Sequence, residues 1–476
     1  MALAKRLATI LALCLVIVMV VGGCGGAATA TPAPTSAPAA TSAPAATEAP
    51  AATEAPAATE ATAPAASGDK KFAGTTLNIL MEGVPDTEAV QKVLPKFEEA
   101  TGMKVQVEVV QYSVMHEKLV PQLTSPEGAG SYDLLVVDNY WVGEFVSSGW
   151  IYALDDRIKE AGIDMGRYIP ATIAMNGQVD GVTYMLPWYA YPMGLIYRSD
   201  VASDPQFLAD YKAKFGKDLN MDQLTLEEYV ELAKWATKDN FYGSSMEGAR
   251  VDPISMEWTN YLYALGGDYY DKDWKPIINS DAGVKATELY VDCIKHAAPP
   301  GAEGFNLEDT TNVMNQGKAF SMISFANMMT WMNDPKTSQV VGKIKMTKMP
   351  GKGGLMGGWG WAIPKSSPHP DAAWEMIKWM EQPEIALERG MLGSVPTQQA
   401  VYDNAEYKAK YPLSPVVHDL IATDRSVPLI ARSPQMIEVV GIALSEAVAG
   451  SKTPKEAMDA AAKGLEQVAR DSGLLK

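Results

Sequence analysis

Residues 75–137 decide the fold: TTLNILM at 75–81, MKVQVEVV at 103–110 and YDLLVV at 132–137 are strand-like runs separated by helical spacing. Between the first two, residues 86–101 place Val90, Val93, Leu94 and Phe97 on one helical face, and Gly102 closes the segment. Pro95 predicts a kink in that helix. The second run alternates apolar and polar residues, residues 116–123 form a short helix, and YDLLVV is continuously apolar, as buried parallel strands are. Strand, helix, strand, helix, strand implies a doubly wound layer, whose ligands bind beyond the carboxyl ends of the strands.

Further along the chain, helix starts are marked by their caps. Thr225 with Glu228 and Thr453 with Glu456 are capping boxes opening helices at 226–238 and 454–470. Asp252-Pro253 starts a helix that ends at Gly266-Gly267, His369-Pro370 starts another, and Ser433-Pro434 starts 434–449. Short strands are predicted at 320–324 (FSMIS), 344–348 and 359–363 (WGWAI). The class is α/β.

Before this body lie two segments of different composition. Lys5 and Arg6 precede the apolar run 7–21, which is short for a membrane span and suits an export signal. Residues 27–68 are almost wholly Ala, Pro, Thr, Ser and Glu, with the hexapeptide SAPAAT at 36–41 recurring through residue 59. Such a segment buries no core; it reads as a tether of ~130 Å if polyproline-like and ~35–40 Å as a coil. Residues 69–476 are left for folded domains. At 47% hydrophobic and 20% charged, the chain is globular rather than disordered or polytopic. Its net charge of −17 repels nucleic acid and anionic lipid, so neither is an expected partner. Of three cysteines only Cys293 lies in the body, which excludes an intrachain disulfide framework and a Cys-based zinc site; Cys293 reads as a small apolar core group.

Several segments, in order, resemble one family. They are 77–102, 131–156 (SYDLLVVDNYWVGEFVSSGWIYALDD), 180–200 (DGVTYMLPWYAYPMGLIYRSD), 317–331 and 357–379 (GGWGWAIPKSSPHPDAAWEMIKW). The chain resembles the family 1 extracellular solute-binding proteins of bacterial ABC importers, in the branch that binds sugars and polyols. Val21-Gly22-Gly23-Cys24 resembles a lipobox, which implies cleavage before Cys24 and its acylation. The resemblance implies a two-lobed, periplasmic-binding-protein-like fold with a ligand cleft at the hinge. Residues 1–23 are then the signal peptide and 24–68 the lipidated Cys and tether. Residues 69–188 with 357–383 form the N-terminal lobe, and 189–356 with 384–476 the C-terminal lobe. The implied protein is extracytoplasmic, held to the membrane only by its lipid, and monomeric. It hands a small carbohydrate or polyol to ABC permease subunits and needs no cofactor.

A sugar presents apolar C–H faces and a rim of hydroxyls, so its site needs aromatic platforms beside carboxylates, amides and Arg. Asp86 and Asp138 follow the first strand and YDLLVV as candidate ligand contacts, and each also suits a cap, Asp86 of a helix and Asp138 of a loop. Trp141, three residues on, is expected either on the same wall as Asp138 or in the core. In LPWYAYP, Tyr189 and Tyr191 match contact positions of the family, although Tyr191 stands where a carboxylate is common, and Trp188 is either a platform or hinge packing. Phe325 and Asn327 follow FSMIS at contact positions. Trp359 is expected to stack on the ligand, its neighbours Gly357, Gly358 and Gly360 letting a ligand approach the backbone, while Trp361 reads as core. Trp258 and Arg432 complete the candidates, Arg432 as a fork to adjacent hydroxyls or as a surface ion pair. Two other readings are a receptor for a non-sugar solute and a secreted carbohydrate-active enzyme using two carboxylates. Against catalysis, the sequence has no G-x-S-x-G, H-E-x-x-H or Walker A motif, and its four His are unpaired.

Overall fold

The computed structural model describes residues 70–476, so the apolar leader, Cys24 and the tether lie outside the described residues. Ten strands organise the chain: β1 (Thr76–Glu82), β2 (Lys104–Val110), β3 (Leu134–Asp138), β4 (Gln178–Val179), β5 (Val182–Thr183), β6 (Leu186–Arg198), β7 (Tyr242–Ser245), β8 (Ala319–Phe325), β9 (Ile344–Thr347) and β10 (Met356–Ala362). One sheet runs in the order β2-β1-β3-β10-β6-β8-β7, with β9 also paired to β6; β4 and β5 form a small hairpin apart. The doubly wound start is as the sequence dictates. β1 lies parallel between β2 and β3, and β3 is buried along its whole length.

β6 joins the two halves of the sheet. Its residues 186–192 pair with β10, whereas 193–198 pair with β8 and β9. Pro192 sits where the strand exchanges partners, a place that tolerates a residue without an N–H donor. Each half carries its own helices, giving the two-lobed α/β architecture. In the first, helix Pro85–Thr101 runs through Pro95 and buries Val90, Val93 and Phe97. Helix Pro383–Met391 packs on it, with Lys96 Nζ 2.6 Å from Glu388 Oε1. In the second, helices Asp252–Ala264, Asp281–Ala297, Ser433–Val448 and Pro454–Asp471 pack together. The capping boxes at Thr225 and Thr453 both close, and a third, Asn306 with Asp309, opens Leu307–Asn315. Cys293 is a free thiol buried in the second core, and burial pushes it up to about 12, which leaves it inert.

Candidate functional site

Every parallel strand of the main sheet ends at one cavity of ≈ 510 Å³. From the first half come Glu82 at the end of β1, Gln111–Ser113 after β2, and Asp138 at the end of β3. From the second half come Glu247 after β7 and Phe325 at the end of β8. This is the placement expected where loops at the carboxyl ends of strands carry the binding groups. β6 contributes Tyr189 and Tyr191, and β10 contributes Trp359.

Asp138 lies at the centre of the first wall. It caps helix Asn139–Ser147 through the Tyr140 N–H (3.2 Å) and accepts the Tyr191 hydroxyl at 2.7 Å. The alternatives of cap and cavity group are therefore both realised. Tyr191 Oη also lies 2.8 Å from Asn139 Oδ1, and its ring meets Phe325 edge-on at 5.2 Å. Trp359 lines the cavity yet is only 2% exposed: it stacks with Tyr189 (6.4 Å) and meets Trp141 edge-on (5.4 Å). It is cavity wall and core at once. The glycines beside it serve packing, not ligand access. A Cβ at Gly357 would lie 2.2 Å from the Tyr191 ring, and one at Gly358 2.0 Å from the Asn176 amide. A bulge between Trp359 and Gly360 accompanies the edge-on contact of Trp188 and Tyr189 at 4.7 Å.

Of the expected site residues, the structure brings Asp138, Tyr189, Tyr191, Phe325, Asn327 and Trp359 to the cavity. The other five stand elsewhere. Asp86 is fully buried, accepting hydrogen bonds from Ser394 Oγ (2.6 Å), the Val395 N–H (2.9 Å) and Asn327 Nδ2 (2.9 Å). It thereby ties helix Pro85–Thr101 to the segment after helix Pro383–Met391 and to the turn after β8, and is spent as a structural acceptor. Trp141 stacks on Tyr112 behind the wall, and Trp188 packs against Trp361 at 4.8 Å. Trp361 is core, its Nε1 donating to Glu381 within a buried pair with Arg389. Trp258 is buried and donates to Thr287 Oγ1. Arg432 is exposed at the N-cap of Ser433–Val448, outside the cavity lining; Arg250 stands there instead.

Sequence reasoning passed over Glu82, Tyr112, Glu247, Arg250, Asp252 and Glu308, all of which line the cavity. Glu82 carried the same signal as Asp138, a carboxylate directly after a buried strand. Burial pushes Glu82 up to about 8, and the carboxylates of Asp138, Asp86 and Glu308 add to the rise. Burial likewise raises Asp138 to about 7 against the Tyr191 hydrogen bond, Glu247 to about 8 and Asp252 to about 6. At the mouth, Val251 holds φ +79, which costs a β-branched residue ~1–3 kcal/mol. Helix Ser433–Val448 presses on it through Gly441, where a Cβ would lie 2.5 Å from the Val251 carbonyl. The arrangement offers flat aromatic surface, hydroxyls and carboxylate acceptors around a volume fit for a small solute.

Comparison with known proteins agrees with this geometry. The family described as bacterial extracellular solute-binding protein matches residues 83–386. A probable amino-acid ABC transporter periplasmic-binding protein of Sinorhizobium fredii is 25% identical, over 87% of this chain and 93% of its own. A mannitol-binding protein of Pseudomonas aeruginosa is 23% identical, over 84% and 94%. An ABC transporter solute-binding protein from Agrobacterium radiobacter, solved in complex with ribitol, superposes with a TM-score of 0.75 at 28% identity, covering 83% of this chain and 99% of that one. The match spans both halves of the sheet and the strand that joins them, and the chain belongs to the bacterial extracellular solute-binding protein family.

Proposed function

We propose that this protein captures a small sugar or polyol in the cavity between its lobes and delivers it to an ABC permease. One observation carries the reading: the cavity sets the rings of Trp359, Tyr189 and Phe325 beside the acceptors Asp138 and Glu82, the two surfaces that a polyhydroxylated solute needs. The mannitol- and ribitol-binding relatives support the same solute class. An amino acid, the solute named for the Sinorhizobium relative, fits less well, because only Arg250 would meet its carboxylate among several acids.

The lobes we propose are 69–188 with 357–383 and 189–356 with 384–476, except that two segments move with the first: 189–192, which pair with β10, and 384–411, which packs by helix Pro383–Met391 on Pro85–Thr101. Closure is stabilised by whatever the solute binds on both walls. Cys24 is proposed as the acylated anchor, with residues 24–68 holding a monomeric receptor near the membrane. The carboxylates bind and do not catalyse.

A thermal-shift screen of sugars, polyols and amino acids, followed by calorimetric titration, tests the solute class. A sugar or polyol should raise the melting temperature and be recovered unaltered. Stabilisation by amino acids alone, or turnover of a bound sugar, would overturn the reading. For the anchor, wild-type protein should partition with membranes and Cys24→Ser should not; soluble, unacylated wild type refutes it.

A further inference from the structure

The cavity is strongly one-sided in charge. Glu82, Asp138 and Glu117 line it from the first half, and Glu247, Asp252 and Glu308 from the second. None of the six belongs to an ion pair among the described residues: His116, which acts on Asp252 electrostatically, is itself engaged with Glu144 at 2.7 Å. Arg250 is the single cation in the lining, and it is exposed, bordering a neighbouring groove as well.

A second, independent observation points to a ligand. Glu247 is only 3% exposed and its Oε1 has no hydrogen-bond partner; the same holds for Oδ1 of Asn327, also in the lining. Buried acceptors without donors are costly, and a buried carboxylate most of all. Glu82, Glu247 and Glu308 line the same cavity from its two halves, and the Glu308 charge opposes ionisation of both of the others.

A neutral polyol supplies O–H donors to some of these oxygens, but each buried acid must then either keep its proton, as the raised values of Glu82 and Glu247 describe for the ligand-free cavity, or carry a charge that nothing offsets. An ammonium group supplies three donors together with a positive charge, and charge-assisted hydrogen bonds are the stronger kind. The same field works against anionic solutes.

We propose that the solute is an amine-bearing sugar or polyol, such as an amino alditol or a 2-amino-2-deoxy sugar, with its ammonium seated among Glu247, Glu308 and Glu82 and its hydroxyls toward Asp138. This rests on the sugar and polyol reading above and narrows it.

The test is calorimetric titration of the full chain with matched pairs: glucamine and sorbitol, glucosamine and glucose, galactosamine and galactose, with N-acetylglucosamine and glucuronate as neutral and anionic controls. At least one amine-bearing member should bind about ten-fold or more tighter than its neutral partner. Glucuronate should not bind. Glu247→Gln and Glu308→Gln should each shrink that ratio toward unity; the second is half-buried and spares the fold if the first does not. Neutral members that bind as tightly as their amines, or N-acetylglucosamine matching glucosamine, overturn this inference and leave the sugar reading standing. Binding by no hydroxylated compound of either kind overturns both.

Discussion

Replacing Trp359 by Ala tests the site and the core together. The indole is 2% exposed and touches three rings: Tyr189 at 6.4 Å, Trp141 at 5.4 Å and Tyr112 at 6.1 Å. Truncating a buried aromatic side chain costs ~3–5 kcal/mol. Unfolding entropy of ~2.1 cal/mol/K per residue, over a body of ~400 residues, converts that loss into a melting temperature lower by ~4–6 °C. The ligand-free protein should show this drop in calorimetry. The same residue forms cavity wall, so solute affinity should fall by ~2–4 kcal/mol, the range of a binding hot spot. Read from sequence, Trp359 works on the ligand alone and its loss spares stability; its burial argues that both must fall. Trp359→Phe should recover most of the stability and part of the affinity. An unchanged melting temperature would refute the packing argument, and an unchanged affinity would refute the wall.

Asp86→Ala leaves three buried donors without their acceptor and should destabilise the protein by ~3–5 kcal/mol in urea titrations; a loss below ~1 kcal/mol would contradict its role as a structural acceptor. Asp138→Asn keeps the shape but removes the charge, and should weaken solute binding by ~1.5–3 kcal/mol with the fold intact by circular dichroism; unchanged affinity would place the solute elsewhere. Burial raises Glu82 and Glu247 to about 8 and Asp138 and Asp424 to about 7 in the folded state, above their unfolded values. The native state therefore holds more protons between about pH 4 and 8. The stability these groups contribute is full below the unfolded values and is lost as pH rises through the folded ones, so the ligand-free melting temperature should fall from about pH 5 to 8. A rising curve would contradict it.

The first half of the sheet was legible because its signals are local. Alternation in 103–110, the apolar run 132–137 and the helix caps each follow from a few neighbouring residues. β6 was not legible as one strand, since Pro187, Pro192 and Gly194 interrupt its pattern; Pro187 falls beside the bulge opposite Gly360 and Pro192 where the strand changes partners. Strand YGSS at 242–245 carries no alternation or β-branched residue, so the acid two residues beyond it, Glu247, had no strand end to point to it. Aromatic residues fared unevenly for a different reason. Periodicity assigns a side chain to a face but not to what lies beyond it: Trp188, Trp258 and Trp359 are all buried, yet only Trp359 also lines the cavity. Arg432 failed through transfer by resemblance, because its position at an exposed helix cap depends on how helix Ser433–Val448 enters the second lobe.

The most direct test is a crystal structure of the protein grown with the sugar or polyol that stabilises it most. The solute should lie between Asp138, Tyr189 and Trp359 on one wall and Glu247 and Phe325 on the other, with its hydroxyls or amine on the carboxylates. A solute bound outside that cavity, or an empty cavity at saturating solute, would contradict the account.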